Sequence, residues 1–176
     1  CFTDDDELAD AMRSIRIHGK GTHKYDNVRI GINGRLDTFQ AAVLLAKLSI
    51  FAEEIKLRNQ AAERYTDLLA LCTLLHTPEV PDGYTSVWAQ YSLLAASSRR
   101  RSGMQQLLRE SGAPTAIYYP KPLHLQTAFR NLNYQEGDFP VSEDCSRRIF
   151  SLPMHPYLER GDQEKITEII KAVDEE

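Results

Sequence analysis

The chain has 176 residues, of which 42% are hydrophobic, and it carries a formal net charge of −4. This length suits one ordinary domain or parts of two, and the apolar content is sufficient for a packed core. No stretch approaches the roughly 18 consecutive apolar residues of a membrane span, which argues against a membrane protein, and the acidic balance argues against a nucleic-acid-binding protein.

The cysteines and the first residues bear on the cellular setting. Cys1, Cys72 and Cys145 are odd in number and far apart, so we expect no disulfide framework and a reduced, cytoplasmic environment. Residues 1–7 are acidic, unlike a signal peptide, and the chain does not begin with Met. We therefore expect it to be cut from a longer protein.

The first predicted element is a helix near the N-terminus. Thr3 or Asp4 is suited to cap it, and it is predicted to end near His18-Gly19. Its apolar residues recur at i, i+4 and i+7, as Leu8, Met12 and Ile15. A glycine-rich loop follows over residues 19–34, and a loop of this length is expected to be mobile and functional.

The loop ends in Asn33-Gly34-Arg35, directly before a long apolar segment. Asp37 is suited to the N-cap of a helix there, with Gln40 three residues further on. Polar groups ahead of a helix N-terminus favour an anion, which makes Asn33 and Arg35 candidates for holding a phosphate or carboxylate. The alternative is that Asn33-Gly34 is simply a tight turn.

The segment from Leu36 to Leu71 predicts one continuous helix, because no Pro or Gly occurs before Pro78. Between Phe39 and Phe51 this helix is apolar on nearly every side, so it must be covered by a second domain or a second subunit. A helix of about 50 Å exceeds the needs of one small domain. We place the domain boundary inside it, giving residues 1–55 and 56–176.

The second part of the chain alternates strand and helix patterns. Strands are predicted at 87–94, at 115–119 and around 151–154, and helices at 99–111, at 141–150 and from an N-cap at Asp162. Met104, Leu107 and Leu108 are predicted to face inward, and the basic run 99–101 to be a solvated helix start. Segment 123–140 is expected to be irregular. The pattern favours a compact α+β or α/β domain.

Five segments together resemble the sugar aminotransferases of the DegT/DnrJ/EryC1/StrS family. They occur in the family's order and are Thr3-Asp4-Asp5-Asp6-Glu7-Leu8-Ala9, Ile17-His18-Gly19, Gly31-Ile32-Asn33-Gly34-Arg35-Leu36-Asp37, Tyr118-Tyr119-Pro120-Lys121-Pro122-Leu123-His124, and Ser151-Leu152-Pro153-Met154-His155-Pro156. The resemblance runs from end to end. It is strongest to members that aminate the 3-keto group of UDP-N-acetyl-hexuronic acids.

The resemblance implies an α/β, fold-type-I aminotransferase that depends on pyridoxal 5'-phosphate (PLP) and acts as a homodimer. Residues 1–55 would be the end of its large domain with the start of the spine helix, and 56–176 its small α+β domain. The family transfers an amino group, usually from glutamate, to a keto-sugar nucleotide for surface polysaccharides or related sugars. The family's Schiff-base lysine precedes the segment that begins at Cys1, so this chain alone is predicted to be inactive. Lys20, Lys24 and Lys121 do not match it.

The resemblance also assigns candidate site residues. Asn33 matches the family asparagine that donates to the cofactor phosphate of the neighbouring subunit. Arg35 is a candidate to pair with a substrate carboxylate or phosphate, the alternative being an ion pair with Asp37 or another neighbour. Tyr118, Tyr119 and His124 are candidates for contact with the sugar nucleotide, with ordinary packing as the alternative.

Metal binding and two other functions are the alternatives to this interpretation. His18, His23, His76 and His155 show no ligand spacing, so no metal site is predicted. The alternative function is a non-catalytic small-domain module that binds a partner or ligand. A nucleic-acid-binding fragment is disfavoured by the acidic charge.

Overall fold

The computed structural model describes residues 1–23 and 25–173, and Lys24 lies outside this description. Its contacts divide the chain into two compact units, Cys1–Ile50 and a second from Phe51 onward. Helix α2, Thr38–Leu69, is continuous through this division. The sequence-based boundary near residue 55 lies a little over one helical turn further along the same helix, and its assignment to a large and a small domain stays a prediction.

Helix α1, Asp6–Arg16, opens the first unit. The prediction that Thr3 or Asp4 caps it was wrong, because the carboxylate of Asp5 accepts from the backbone N–H of Leu8 at 3.0 Å. Thr3 instead accepts from the N–H of Asp5 at 3.1 Å and so braces the cap. The helix stops two residues before His18, where the chain turns back.

Helix α2 begins as its local sequence predicts. The carboxylate of Asp37 accepts from the backbone N–H of Gln40 at 2.9 Å, which satisfies a free donor of the first turn. The apolar first half of the helix is uncovered in this chain, with Phe39 86% and Leu45 70% exposed. Its second half buries the residues Ala61, Ala62, Tyr65 and Leu69.

A three-stranded antiparallel sheet of order β1-β2-β3 lies in the second unit. Its strands are β1 (Leu75–His76), which the sequence did not predict, β2 (Tyr91–Ala95) and β3 (Ile149–Leu152). The predicted strand start at residue 87 was wrong, because Trp88 adopts a left-handed φ of 49° that is incompatible with extended pairing. The predicted strand at 115–119 is reduced to a single bridge between Ala116 and Ser151.

Three α-helices and two short 3-10 helices complete the described part of this unit, up to residue 173. They are α3 (Ser98–Glu110), the 3-10 turns Leu123–Leu125 and Thr127–Leu132, α4 (Pro140–Arg148) and α5 (Arg160–Ala172). Two details of the prediction were wrong: Leu107 is 39% exposed, and Glu159, not Asp162, holds the N-cap position of α5. Asp162 lies in the first turn, where a carboxylate complements the helix dipole.

The core of this unit is built around β2. The rings of Tyr65 and Tyr91 stack with centroids 5.0 Å apart, and both residues are fully buried.

The prediction of a solvated basic helix start was wrong for two of its three arginines. Arg100 donates to the carbonyl of Val173 at 2.8 Å and Arg101 to that of Ser146 at 3.2 Å, where these carbonyls end helices α5 and α4.

No helix within residues 1–23 and 25–173 combines the length and apolar character that a membrane crossing requires, although α2 is 32 residues long.

Candidate functional site

The loop between α1 and α2 is folded back on the end of α1. The N–H of His18 donates to the carbonyl of Ile32 at 2.9 Å, and the N–H of Ile32 donates to that of Ile15 at 2.8 Å. Gly34 N–H donates to the carbonyl of Arg16 at 2.8 Å. The expectation of a mobile loop therefore does not hold at its two ends, because backbone hydrogen bonds join them.

Two glycines permit this close approach. A Cβ on Gly31 would clash with the backbone of Gly19 and would lie 2.6 Å from the carbonyl oxygen of Ile15. Gly19 has a φ of +74°, and a Cβ there would clash with the carbonyl of Arg29. Side chains larger than hydrogen are excluded at both positions, so the two arms of the loop lie in direct backbone contact.

Asn33 and Arg35 lie together at the end of this loop. Asn33 pairs with Ile17 in an isolated antiparallel bridge, and its side chain is exposed. The Nε of Arg35 donates to the Oδ1 of Asn33 at 3.1 Å. The loop thus presents an amide and a guanidinium side by side, a few residues before the start of α2.

Tyr118 and Tyr119 form the second group of candidate residues, in the second unit. They follow the bridge at Ala116, and their rings meet edge to face with centroids 5.8 Å apart. Tyr118 is 41% and Tyr119 71% exposed, so both hydroxyl-bearing rings are available to a ligand. Tyr118 also lines a cavity of about 250 Å³ with Gln90 and Met154.

His124 is held differently, because its side chain is only 7% exposed. Its Nε2 lies 3.0 Å from Oε1 of Glu143, whose side chain is 6% exposed. The same carboxylate accepts from the backbone N–H of Gly137 at 2.9 Å and of Phe139 at 3.3 Å. Glu143 therefore fixes both the orientation of the imidazole ring and the turn before α4.

The pKa of Glu143 reflects these contacts. Burial raises the pKa of its carboxyl, but the hydrogen bonds from Gly137, His124 and Phe139 favour the charged form and together hold that pKa below its usual value. Sequence reasoning missed Glu143. Its place in the first turns of a helix opened by Pro140 was the available signal, but His124 lies 19 residues away and no local pattern joins the two.

A cavity of about 330 Å³ lies beside this pair. His124 is part of its wall, and the remaining walls are mostly apolar: Leu123, Phe129, Leu132, Tyr134, Phe139 and Ser142. A mainly apolar pocket with one polar group of fixed orientation is typical of a small-molecule site.

The described residues thus contain two candidate groups in different units, Asn33 with Arg35 and Tyr118 with Tyr119 and His124. No group of three or more His, Cys, Asp or Glu side chains within these residues is arranged to hold a metal ion. The cysteines at positions 1, 72 and 145, all within the described residues, form no disulfide bond with one another.

Comparison with known proteins gives the class. The model of the DegT/DnrJ/EryC1/StrS aminotransferase family matches residues 1–171. The chain belongs to this family.

Among curated relatives, the chain is 43% identical over 158 residues to a UDP-2-acetamido-2-deoxy-3-oxo-D-glucuronate aminotransferase of Pseudomonas aeruginosa, covering 90% of this chain and 42% of the relative. It is 41% identical over 171 residues to a protein of Geobacillus stearothermophilus named pleiotropic regulatory protein, covering 96% of this chain and 45% of the relative. The chain therefore spans less than half the length of these relatives.

Solved structures agree. A DegT DnrJ EryC1 StrS aminotransferase from Brucella abortus superposes with a TM-score of 0.82 at 51% identity, covering 97% of this chain and 44% of that one. DesV of S. venezuelae, solved with a ketimine intermediate, superposes with a TM-score of 0.85 at 30% identity, covering 99% and 46%. The predicted fold class, the C-terminal part of such an aminotransferase, is confirmed.

Proposed function

We propose that residues 1–176 form the C-terminal part of a PLP-dependent aminotransferase that transfers an amino group, with glutamate as donor, to a keto-sugar nucleotide. The family membership and the likeness to the Pseudomonas enzyme support the reaction class. On this proposal the protein acts in the cytoplasm in making surface polysaccharides or related sugars, as a homodimer with no membrane or nucleic-acid partner.

The observation that carries the proposal is the state of the Asn33 side chain. Its Oδ1 already accepts from Arg35, which leaves the amide Nδ2 hydrogens to donate. An amide donor beside a guanidinium suits a phosphate dianion, and the N-terminus of α2 adds a favourable dipole nearby. The residues present therefore fit the phosphate of PLP, and Asn33 would hold it.

The cofactor, when bound, supplies an electron sink for labile bonds at the amino-bearing carbon. This chain's part is to bind and orient. Asn33 anchors the phosphate, and Arg35 offers its remaining N–H groups to a carboxylate or phosphate of the substrate. Neither Lys20 nor Lys121 is assigned the role of the family lysine.

The second unit would bind the sugar nucleotide. Tyr118 and Tyr119 offer exposed rings and hydroxyls, and His124 offers an imidazole whose orientation is fixed by Glu143. The cavity beside His124 is large enough for one ring of a ligand. We assign substrate contact to these three side chains.

Dimerisation is proposed from the first half of α2. Its exposed apolar side chains include Phe39, Val43, Leu44, Leu45, Leu48, Ile50 and Phe51, each at least 45% exposed. Such a face is costly in water, and monomeric proteins rarely expose contiguous apolar patches of this kind. We propose that the rest of the large domain and a second subunit cover it.

The proposal is tested in a full-length protein that contains residues 1–176. Purified with PLP, it is assayed with glutamate against a panel of keto-sugar nucleotides, and we expect formation of 2-oxoglutarate with at least one of them. The Asn33→Ala variant should bind PLP more weakly by about 1–3 kcal/mol, the scale of a hydrogen bond to a charged group. Unchanged PLP affinity would remove Asn33 from the phosphate site.

A second candidate function is a non-catalytic binding module, favoured by the name of the Geobacillus relative, a pleiotropic regulatory protein. The same assay separates the two functions. A protein that binds PLP but forms neither an amino-sugar nucleotide nor the 2-oxo acid of the donor, with any sugar nucleotide and amino donor tested, would support the module.

A further inference from the structure

We infer that Arg35 is a positioning residue, which orients the amide of Asn33 so that both Nδ2 hydrogens are presented to an anion. This inference rests on the proposed function, in which Asn33 holds the cofactor phosphate. It adds a residue that acts on the cofactor through another side chain, and a role for Arg35 that precedes substrate binding.

The backbone at Asn33 is already fixed. The bridge to Ile17 and the hydrogen bond from Gly34 N–H to the carbonyl of Arg16, at 2.8 Å, hold the main chain on both sides of the Asn33 carbonyl. The glycine contact between Gly19 and Gly31 closes the loop behind it. What stays free is the side-chain torsion of an exposed asparagine, including which end of its amide faces outward.

The chemistry of the pair decides that torsion. A guanidinium has five N–H donors and no acceptor, so Arg35 can engage only the oxygen of the Asn33 amide. The contact from Nε to Oδ1, 3.1 Å, therefore excludes the flipped amide, in which the oxygen would face the anion and repel it. Arg35 thus leaves only the N–H donors of the Asn33 amide, and not its oxygen, facing the anion.

The spacing of the two residues is suited to this contact. Residues at i and i+2 of an extended segment project from the same face, which places the Arg35 side chain beside that of Asn33. The competing acceptor is Asp37, another two residues on. Its carboxylate is engaged in capping α2, where it accepts from the N–H of Gln40 at 2.9 Å.

The test exploits the geometry of two replacement side chains. In Arg35→Gln the amide nitrogen is as many bonds from Cα as the arginine Nε, so a donor remains at that position while the charge is lost. Arg35→Met loses the charge and the donor together at similar length. The two variants therefore differ in the hydrogen bond and not in net charge.

The measurement is the dissociation constant of PLP, titrated without substrate into the cofactor-free, full-length protein. We expect Arg35→Met to weaken binding about 3- to 10-fold, the effect of one net hydrogen bond, and Arg35→Gln to stay within about 2-fold of wild type. In the Asn33→Ala background, Arg35→Met should have no further effect. Arg29→Ala, a charge removed elsewhere in the loop, is the control for long-range electrostatics.

A second readout follows the side chain itself. With asparagine labelled with 15N, the Nδ2 order parameter of Asn33 should be lower in Arg35→Met than in wild type and Arg35→Gln. Equal losses of PLP affinity in the Met and Gln variants would assign the effect to charge and overturn the inference. So would a loss from Arg35→Met that persists in the Asn33→Ala background.

These outcomes are distinct from a failure of the proposed function. If Asn33→Ala binds PLP as wild type does, the phosphate contact itself is overturned, and the role of Arg35 falls with it. If Asn33→Ala weakens PLP binding and neither Arg35 variant does, the proposed function stands and the positioning role alone is overturned.

Discussion

His124 and Glu143 are joined by a 3.0 Å contact between two side chains that are each less than a tenth exposed. The carboxylate also receives the backbone N–H groups of Gly137 and Phe139. One buried anion therefore ties the 3-10 turn that carries His124 to the start of α4. The imidazole beside the cavity owes its orientation to a residue that does not itself line that cavity.

The first prediction concerns the acid limb of stability. The pKa of Glu143 is lowered by folding, so its charged form contributes stability above its unfolded value of about 4.5, and this contribution is lost as the pH falls through the folded pKa. We expect the free energy of unfolding to decline more steeply below pH 4.5 in wild type than in Glu143→Gln. Denaturant titrations at several pH values measure both slopes.

The control for this experiment is Glu53→Gln. Glu53 forms an exposed pair with Lys56 at 3.2 Å, and surface ion pairs contribute little. It should leave the acid limb close to that of wild type. A Glu143→Gln curve that runs parallel to wild type below pH 4.5 would contradict the role given to the buried carboxylate.

The second prediction concerns the alkaline limb. Thr66 donates its hydroxyl to the carbonyl of Ala62 at 3.0 Å, so in its 2.8 Å contact with Tyr91 the phenol must be the donor. Burial, together with the nearby charge of Asp67, raises the pKa of Tyr91 to about 12. Tyr91→Phe should cost about 0.5–1.5 kcal/mol at neutral pH through the lost hydrogen bond.

Above pH 10 the sign follows from linkage. A pKa raised by folding gives stability that is complete below the unfolded value of 10.0 and is lost as the pH rises toward about 12. Tyr91→Phe should therefore lose less stability over this window than wild type, with the remainder due to Tyr65, whose pKa burial also raises. Tyr84→Phe serves as the control, because Tyr84 is 75% exposed. An identical alkaline limb in all three proteins would refute the assignment of this pH dependence to Tyr91.

The third prediction concerns the loop that carries Asn33. Gly31→Ala should open it, because the added Cβ meets backbone atoms that cannot move aside. Hydrogen exchange at the amides of Ile32 and Gly34 should accelerate, since both donate across the loop at 2.8 Å.

Gly103→Ala is the matched control for that change. Gly103 lies inside α3, and nothing within 4 Å would meet its Cβ. Alanine there should stabilise the protein by about 0.5–1 kcal/mol through helix propensity. Protection of the Ile32 amide that survives Gly31→Ala would show that the close approach is not required.

The sequence predicted elements whose cause is local. Helix α2 could be predicted because a capping Asp37 and a long run without Pro or Gly lie within one segment. The start of β2 could not be predicted, since residues 87–90 share the composition of a strand while Trp88 turns the chain with a left-handed φ. Likewise, the basic run 99–101 predicts solvated arginines. In the folded chain Arg100 and Arg101 instead donate to the carbonyls of Val173 and Ser146, which are distant in sequence.

Some features of the candidate site could likewise be predicted from the sequence, and others could not. The sequence by itself determined the family and the place of Asn33 before α2, because motif order and helix capping are written in neighbouring residues. Only the tertiary structure decided that Glu143 holds His124 and that Arg35 bonds to Asn33 while Asp37 caps the helix. Those choices depend on which groups folding brings within hydrogen-bond distance and which of them stay exposed to water, and sequence spacing does not specify either.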